Sequence, residues 1–202
     1  MFEFAHHMRH FIDSYFCYSN NFINKNIREQ SRFEQMLDCA KEVADKFNKE
    51  KPVLNNPPIL RSGSRQAVLL LSDLHIGIVN DNYWNKYDVD IMKDRMSYLK
   101  QRVIQIALEN DVNRIRVCCI GDIISGLIHS TIRLENRENV VEQTILAIEV
   151  IVELLQSLSA LFKVDLYYSV GNHERISANK SDSLDKENFG YFILYSLKYR
   201  LM

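Results

Sequence analysis

The stretch that decides the fold is VLLLSDLHIG, residues 68–77. Four consecutive apolar residues, Val68 to Leu71, are too few for a helix and read as a strand buried on both faces of a parallel sheet. The run then stops at Ser72 and presents a carboxylate at Asp73 and an imidazole at His75. A core strand that ends on two metal-competent side chains needs partner ligands from elsewhere in the chain.

The same order recurs twice. RIRVCCI (114–120) reads as a second strand and runs into Gly121 and Asp122, and VDLYYSV (164–170) reads as a third and runs into GNHE at 171–174. Helical patterns lie between them. Asp88 is placed to cap a helix carrying Met92, Met96, Leu99, Val103 and Ile106 on one face. Residues 138–162 turn Val141, Ile145, Ile148, Val152, Leu155 and Leu158 inward, and a last helix, FGYFILYSLKYRL, starts at Asn188.

Strand–helix–strand–helix–strand predicts an α/β fold, a right-handed parallel βαβαβ unit with helices on the sheet's faces. All three strand ends then emerge at one carboxyl edge, where open α/β sheets bind their ligands. That topology brings Asp73, His75, Asp122, Asn172 and His173 together. Oxygen donors mixed with imidazoles suit manganese, iron or zinc rather than a thiolate site. Gly77, Gly121 and Gly171 beside them permit sharp turns or close backbone approach.

Upstream, KPVLNNPPILRSGSR (51–65) holds all three prolines of the chain and reads as a linker. The expected organisation is a helical appendage over 1–50, this linker over 51–65, and an α/β domain over 66–202. Within the appendage, 27–49 carry one apolar stripe (Phe33, Met36, Leu37, Ala40, Val43, Ala44, Phe47) that must lie against something, whereas 1–26 show no clean period.

Composition excludes several classes. The formal net charge of −1 leaves no global basic field, so the chain does not hold nucleic acid by charge alone. Four cysteines without a CxxC spacing indicate reduced thiols and an intracellular setting. No apolar run approaches the ~20 residues of a membrane span, and MFEFAHHMRH lacks the basic-then-apolar order of a secretory signal. A cytoplasmic protein without a membrane partner is expected.

DLH, GD and GNHE, in this order after successive strands, resemble the first three blocks of the calcineurin-like metallophosphoesterases, a family of SbcD-type nucleases, protein phosphatases and cyclic-nucleotide phosphodiesterases. GNHERISANKSDSLDKENF also resembles phage exonuclease-like members. The resemblance implies a calcineurin-like phosphoesterase fold, of which 66–202 carry the N-terminal βαβαβ half. It implies that Asp73 and His75 bind a first divalent metal, manganese with iron or zinc as alternatives. Asp122 would bridge two metals, and Asn172 would bind the second through its amide oxygen. His173 would be no ligand but would sit beside the phosphate, stabilising it or protonating the leaving oxygen. The implied reaction is hydrolysis of a phosphodiester substrate, nucleic acid foremost, by water activated at the metal. Arg133 and Arg137, after the second block, and Arg175, after the third, are candidate phosphate contacts.

The family's later blocks, a further histidine and GHxH, have no counterpart. The six histidines are His6, His7, His10, His75, His129 and His173, and none follows His173. The expectation is therefore a partial member that holds one cation, or none, stably. His129 and the His6–His7–His10 cluster are the remaining imidazoles that could substitute. Two readings stand: a metal-dependent phosphoesterase, and a catalytically incomplete domain that serves as a binding module or as half of a complex. The second implies a homodimer or a complementing chain, and an apolar surface left on the last helix.

Overall fold

The computed structural model describes the backbone of residues 2–53, 63–183 and 186–201, and their side chains from residue 19 onward except Asn21 and Ile132. The side chains of His6, His7, His10 and Cys17 lie outside the described residues, as do Asp185 and positions 54–62 of the expected linker. The chain is α/β. Strand β1 (Arg65–Leu71) leads through a short antiparallel hairpin, β2 (Asn80–Asp81) and β3 (Lys86–Tyr87), into helix α2 (Val89–Glu109). Then follow β4 (Val112–Cys119), the short α3 (Ser130–Glu135), α4 (Val140–Ser159), β5 (Lys163–Tyr168) and α5 (Phe189–Leu201). β1, β4 and β5 form one parallel sheet in the order β1-β4-β5, with Leu71 opposite Cys119 and Cys119 opposite Tyr168. Matched ends at one edge are what allow three loops to meet.

The helices start where side-chain oxygens can take up unpaired backbone N–H groups. Asp88 accepts from the N–H of Ile91 at 2.9 Å and opens α2. Asn139 accepts from Val141 and Glu142 while Glu142 reaches back to the Asn139 N–H, a reciprocal cap that opens α4. Asn188 accepts from the Gly190 N–H and opens α5.

Among the described residues, one face of the sheet is core and the other is open. On β4, Ile115, Val117 and Cys119 are buried together with Leu71, Ile148, Ile151, Leu155 and Leu158 beneath α2 and α4. Side chains alternate along strands, so Val68 and Leu70 project to the opposite face, where they are 61% and 65% exposed. Tyr167 on β5 is likewise exposed. The expectation that VLLL is buried on both faces is thus corrected: the helices lie over one face, and a continuous apolar run does not by itself distinguish a two-sided from a one-sided strand. Ile106 and Val141, read as inward from helical period, are also exposed. Two neighbouring leucines should respond very differently to truncation. Leu71→Ala should cost about 2–5 kcal/mol and Leu70→Ala within about 0.5 kcal/mol, read as urea midpoints.

Helix α1 is a single helix, Phe2–Glu50, so the lack of period over residues 1–26 does not mark a break. It lies against α5. Phe33 meets Tyr195 and Tyr191 edge-on at 5.7 and 6.4 Å, and Ala40 and Ala44 are fully buried. Lys51 pairs with Glu149 of α4 at 2.8 Å. The last helix therefore does not carry the uncovered surface expected of it: Ile193 and Leu197 are completely buried, and the open apolar face belongs to the sheet. Among the described residues no helix is long and apolar enough to cross a membrane.

Candidate metal centre

Beyond Leu71 and Cys119 the chain leaves regular strand, yet pairing continues. Ile120 N–H donates to Leu71 O, Asp73 N–H to Gly121 O, His75 N–H to Asp122 O, Ile76 N–H to Ile123 O and Ser125 N–H to Ile76 O. Ile76 and Ile124 form a parallel bridge, and Ile76, Ile123 and Ile124 are fully buried. These isoleucines anchor the two loops in the core, and the residues between them are forced outward at the carboxyl edge. The backbone records the cost: Asp73, His75 and Asp122 all sit at left-handed φ values of 54°, 42° and 54°. That region is unfavourable for residues with a Cβ, and non-glycine residues held there cluster at functional sites.

The third loop is threaded tightly against the second. A Cβ on Gly121 would lie 2.6 Å from Gly171 Cα, so only glycines allow this crossing. Glu174 fastens it. Its buried carboxylate accepts from Ile123 N–H at 2.7 Å and from Gly171 N–H at 2.6 Å. Burial pushes its pKa up, opposed by the N–H groups of Ile123, Gly171 and Asp122. Gln143, buried on α4, makes a second clamp, accepting from Gly126 N–H and donating to Glu138 O.

Within this frame one ligand atom each from His75, Asp122 and His173 lies within 4.8 Å of the others, a three-residue cluster able to hold a metal ion. The His75 and His173 rings meet edge-on at 4.4 Å. Asp122 Oδ1 accepts the His173 backbone N–H at 3.0 Å. His173 Nδ1 lies 2.8 Å from Ser125 O, which can only accept. Nδ1 therefore carries a proton that it donates to this carbonyl, and Nε2 is the ring nitrogen left without this partner. Burial, then the nearby His173, lowers the His75 pKa, against the pull of Asp122 and Asp73. A neutral imidazole near pH 7 is the form a metal accepts.

No family model, curated protein or solved structure matches the chain.

The remaining sequence candidates take differing places. Asp73 is largely exposed, with Oδ1 3.6 Å from His75 Nε2, at the rim of the cluster. Asn172 is exposed, and its backbone oxygen accepts from Arg175 N–H and Nε. His129 is exposed with its ring 5.1 Å from that of His173, so it borders the cluster. Arg133 is exposed on α3. Arg137 is engaged by Glu138 at 2.6 Å and Asp90 at 3.4 Å. Glu174, Gln143 and Ser125, which position the ligands, were not found from sequence. Only Glu174, directly after the GNH motif, carried a signal, an acid beside two donors that could have been read as their support.

Proposed function

We propose that the chain is a metal-dependent phosphoesterase of calcineurin-like architecture, acting on a phosphodiester, with nucleic acid as the favoured substrate class. The observation that carries this reading is the convergence of His75, Asp122 and His173 at the carboxyl edge of a parallel sheet, on loops held in left-handed backbone. Two imidazoles and a carboxylate fit manganese, iron or zinc. His75 and Asp122 would hold the cation, with Asp73 joining from the rim. When bound, a divalent cation lowers the pKa of water and neutralises phosphoryl charge. The Ser125 carbonyl engages His173 Nδ1, and the ring in its imidazolium form would donate the Nε2 proton to the leaving oxygen. Asn172, beside it in the same loop, would offer its amide oxygen to a cation, and Arg175 would contact the phosphate oxygens.

The test is hydrolysis of bis(p-nitrophenyl) phosphate by the purified chain with manganese, and calorimetric titration of the ion. One ion per chain and metal-dependent turnover are expected. His173→Ala should lower turnover while one ion still binds; loss of the ion with it would make His173 a ligand instead. The pH dependence has a definite sign. A proton on His75 competes with the cation, and its pKa lies below the ordinary 6.5. Manganese affinity should therefore persist through pH 6.5 and fall only as pH drops further, measured as apparent Kd across pH 5–8.

A second reading rests on the open sheet face and on a cluster of only three donors among the described residues. In it the chain binds a cation without turnover and is completed by a second copy or another chain laid over Val68, Leu70 and Tyr167. Ion binding without hydrolysis, together with a dimer in sedimentation, would favour this reading.

A further inference from the structure

The β2–β3 hairpin displays two aromatic rings that the fold does not use. Tyr83 and Trp84 are 90% and 89% exposed and meet edge-on at 4.9 Å. Leaving rings of this size in water forgoes substantial apolar burial, so their display needs a reason. The turn beneath them is built rather than loose. Asn82 Oδ1 accepts from the N–H groups of Trp84 and Asn85, both at 2.9 Å, and Asn82 N–H donates to Asn85 O. Arg95 on α2 donates to Asn85 Oδ1 and to Lys86 O, and its guanidinium lies over the Tyr87 ring.

The hairpin is also tied to the candidate metal centre. The Tyr87 hydroxyl donates to the carbonyl of Leu74, the residue between Asp73 and His75. Trp84 precedes Tyr87 by three residues, so its Cα is within about 11 Å of the Tyr87 Cα. The hairpin that carries the two rings is thus tied through Tyr87 to the loop that presents Asp73 and His75.

We propose that Tyr83 and Trp84 form a stacking site for unpaired nucleobases, which seats a single strand of nucleic acid beside the metal loop. The inference deepens the phosphodiesterase reading and rests on it for the identity of the ligand. Flat aromatic faces suit bases of any sequence, since every base offers a π-face. Arg95 supplies a positive charge at its base, while Lys86 is paired with Asp81 at 3.3 Å. In a duplex the bases stack on one another and their faces are not available, so the site selects unpaired strands.

Trp84 is the only tryptophan in the chain, so its fluorescence reports on this site alone. The full chain is titrated with oligothymidylate in EDTA, which removes hydrolysis from the measurement. Saturable quenching is expected, with little from a duplex of the same length. Tyr83→Ala should bind about 5- to 150-fold more weakly, the range spanned by stacking one base. Trp84→Ala should show a comparable loss by anisotropy of a labelled strand. Absence of quenching, unchanged affinity in both variants, or an emission shift set by protein concentration alone would overturn the proposal, the last by showing that a second copy covers the rings. Because binding is read without divalent metal, a chain that hydrolyses nothing can still pass and an active one can still fail.

Discussion

Asp122→Asn should reduce manganese-dependent hydrolysis by about 10³-fold, because it removes the only carboxylate of the three-residue cluster and with it several kcal/mol of charge complementarity. Asparagine is the informative replacement. Its Oδ1 can still accept the His173 N–H, as Asp122 Oδ1 does at 3.0 Å, and asparagine tolerates the left-handed φ of 54°. Alanine would lose both, and would mix loop disorder with loss of charge. A matching loss of manganese binding by calorimetry, with an unchanged urea midpoint, places the effect on the site. Full activity in the Asn variant would remove Asp122 from the mechanism.

Glu174→Leu should destabilise the chain by about 2–6 kcal/mol. Two buried donors, the N–H groups of Ile123 and Gly171, lose the carboxylate that accepts from both, at about 1–3 kcal/mol each. The Ile123 bond joins the loop after β4 to the loop after β5 and the Gly171 bond closes the latter on itself, so the change also frees His173 and should lower turnover beyond the stability loss. Its dependence on pH follows from burial. The native state holds the Glu174 proton more tightly than the unfolded chain does, since its pKa lies above the ordinary 4.5. Its contribution to stability is therefore greatest at acid pH and declines as pH rises from 4.5 through the raised value. The gap between wild type and Glu174→Leu in urea midpoint should be wider at pH 5 than at pH 8.

Much of the candidate site was legible because metal-competent residues have distinctive chemistry and because strand ends in a parallel sheet share an edge. His75, Asp122 and His173 could be brought together without coordinates for that reason. Ser125 and Gln143 could not, since their roles depend on where a carbonyl or an amide lies after folding, and neither side chain type implies a partner. The one-sided sheet was illegible for a related reason. Val68 and Leu70 are as apolar as Leu69 and Leu71, and burial is set by what covers a face, which the strand itself does not encode. Helix α1 shows the opposite failure: helical pairing of backbone groups continues through residues whose side chains show no stripe.

The docking of α1 on α5 has a consequence for the order in which the chain folds. Arg32 meets Glu187 across 155 residues, and Asn48 meets the Tyr199 carbonyl across 151. Contacts of that separation close the longest loops available, and their entropy must be lost before packing compensates for it. On a ribosome, α1 emerges long before α5 exists and must wait, a marginal helix with its apolar stripe unmatched, while the parallel sheet assembles behind it. The aromatic contacts of Phe33 with Tyr191 and Tyr195 are then expected to form after the core, with φ-values near zero for Phe33→Leu as the check.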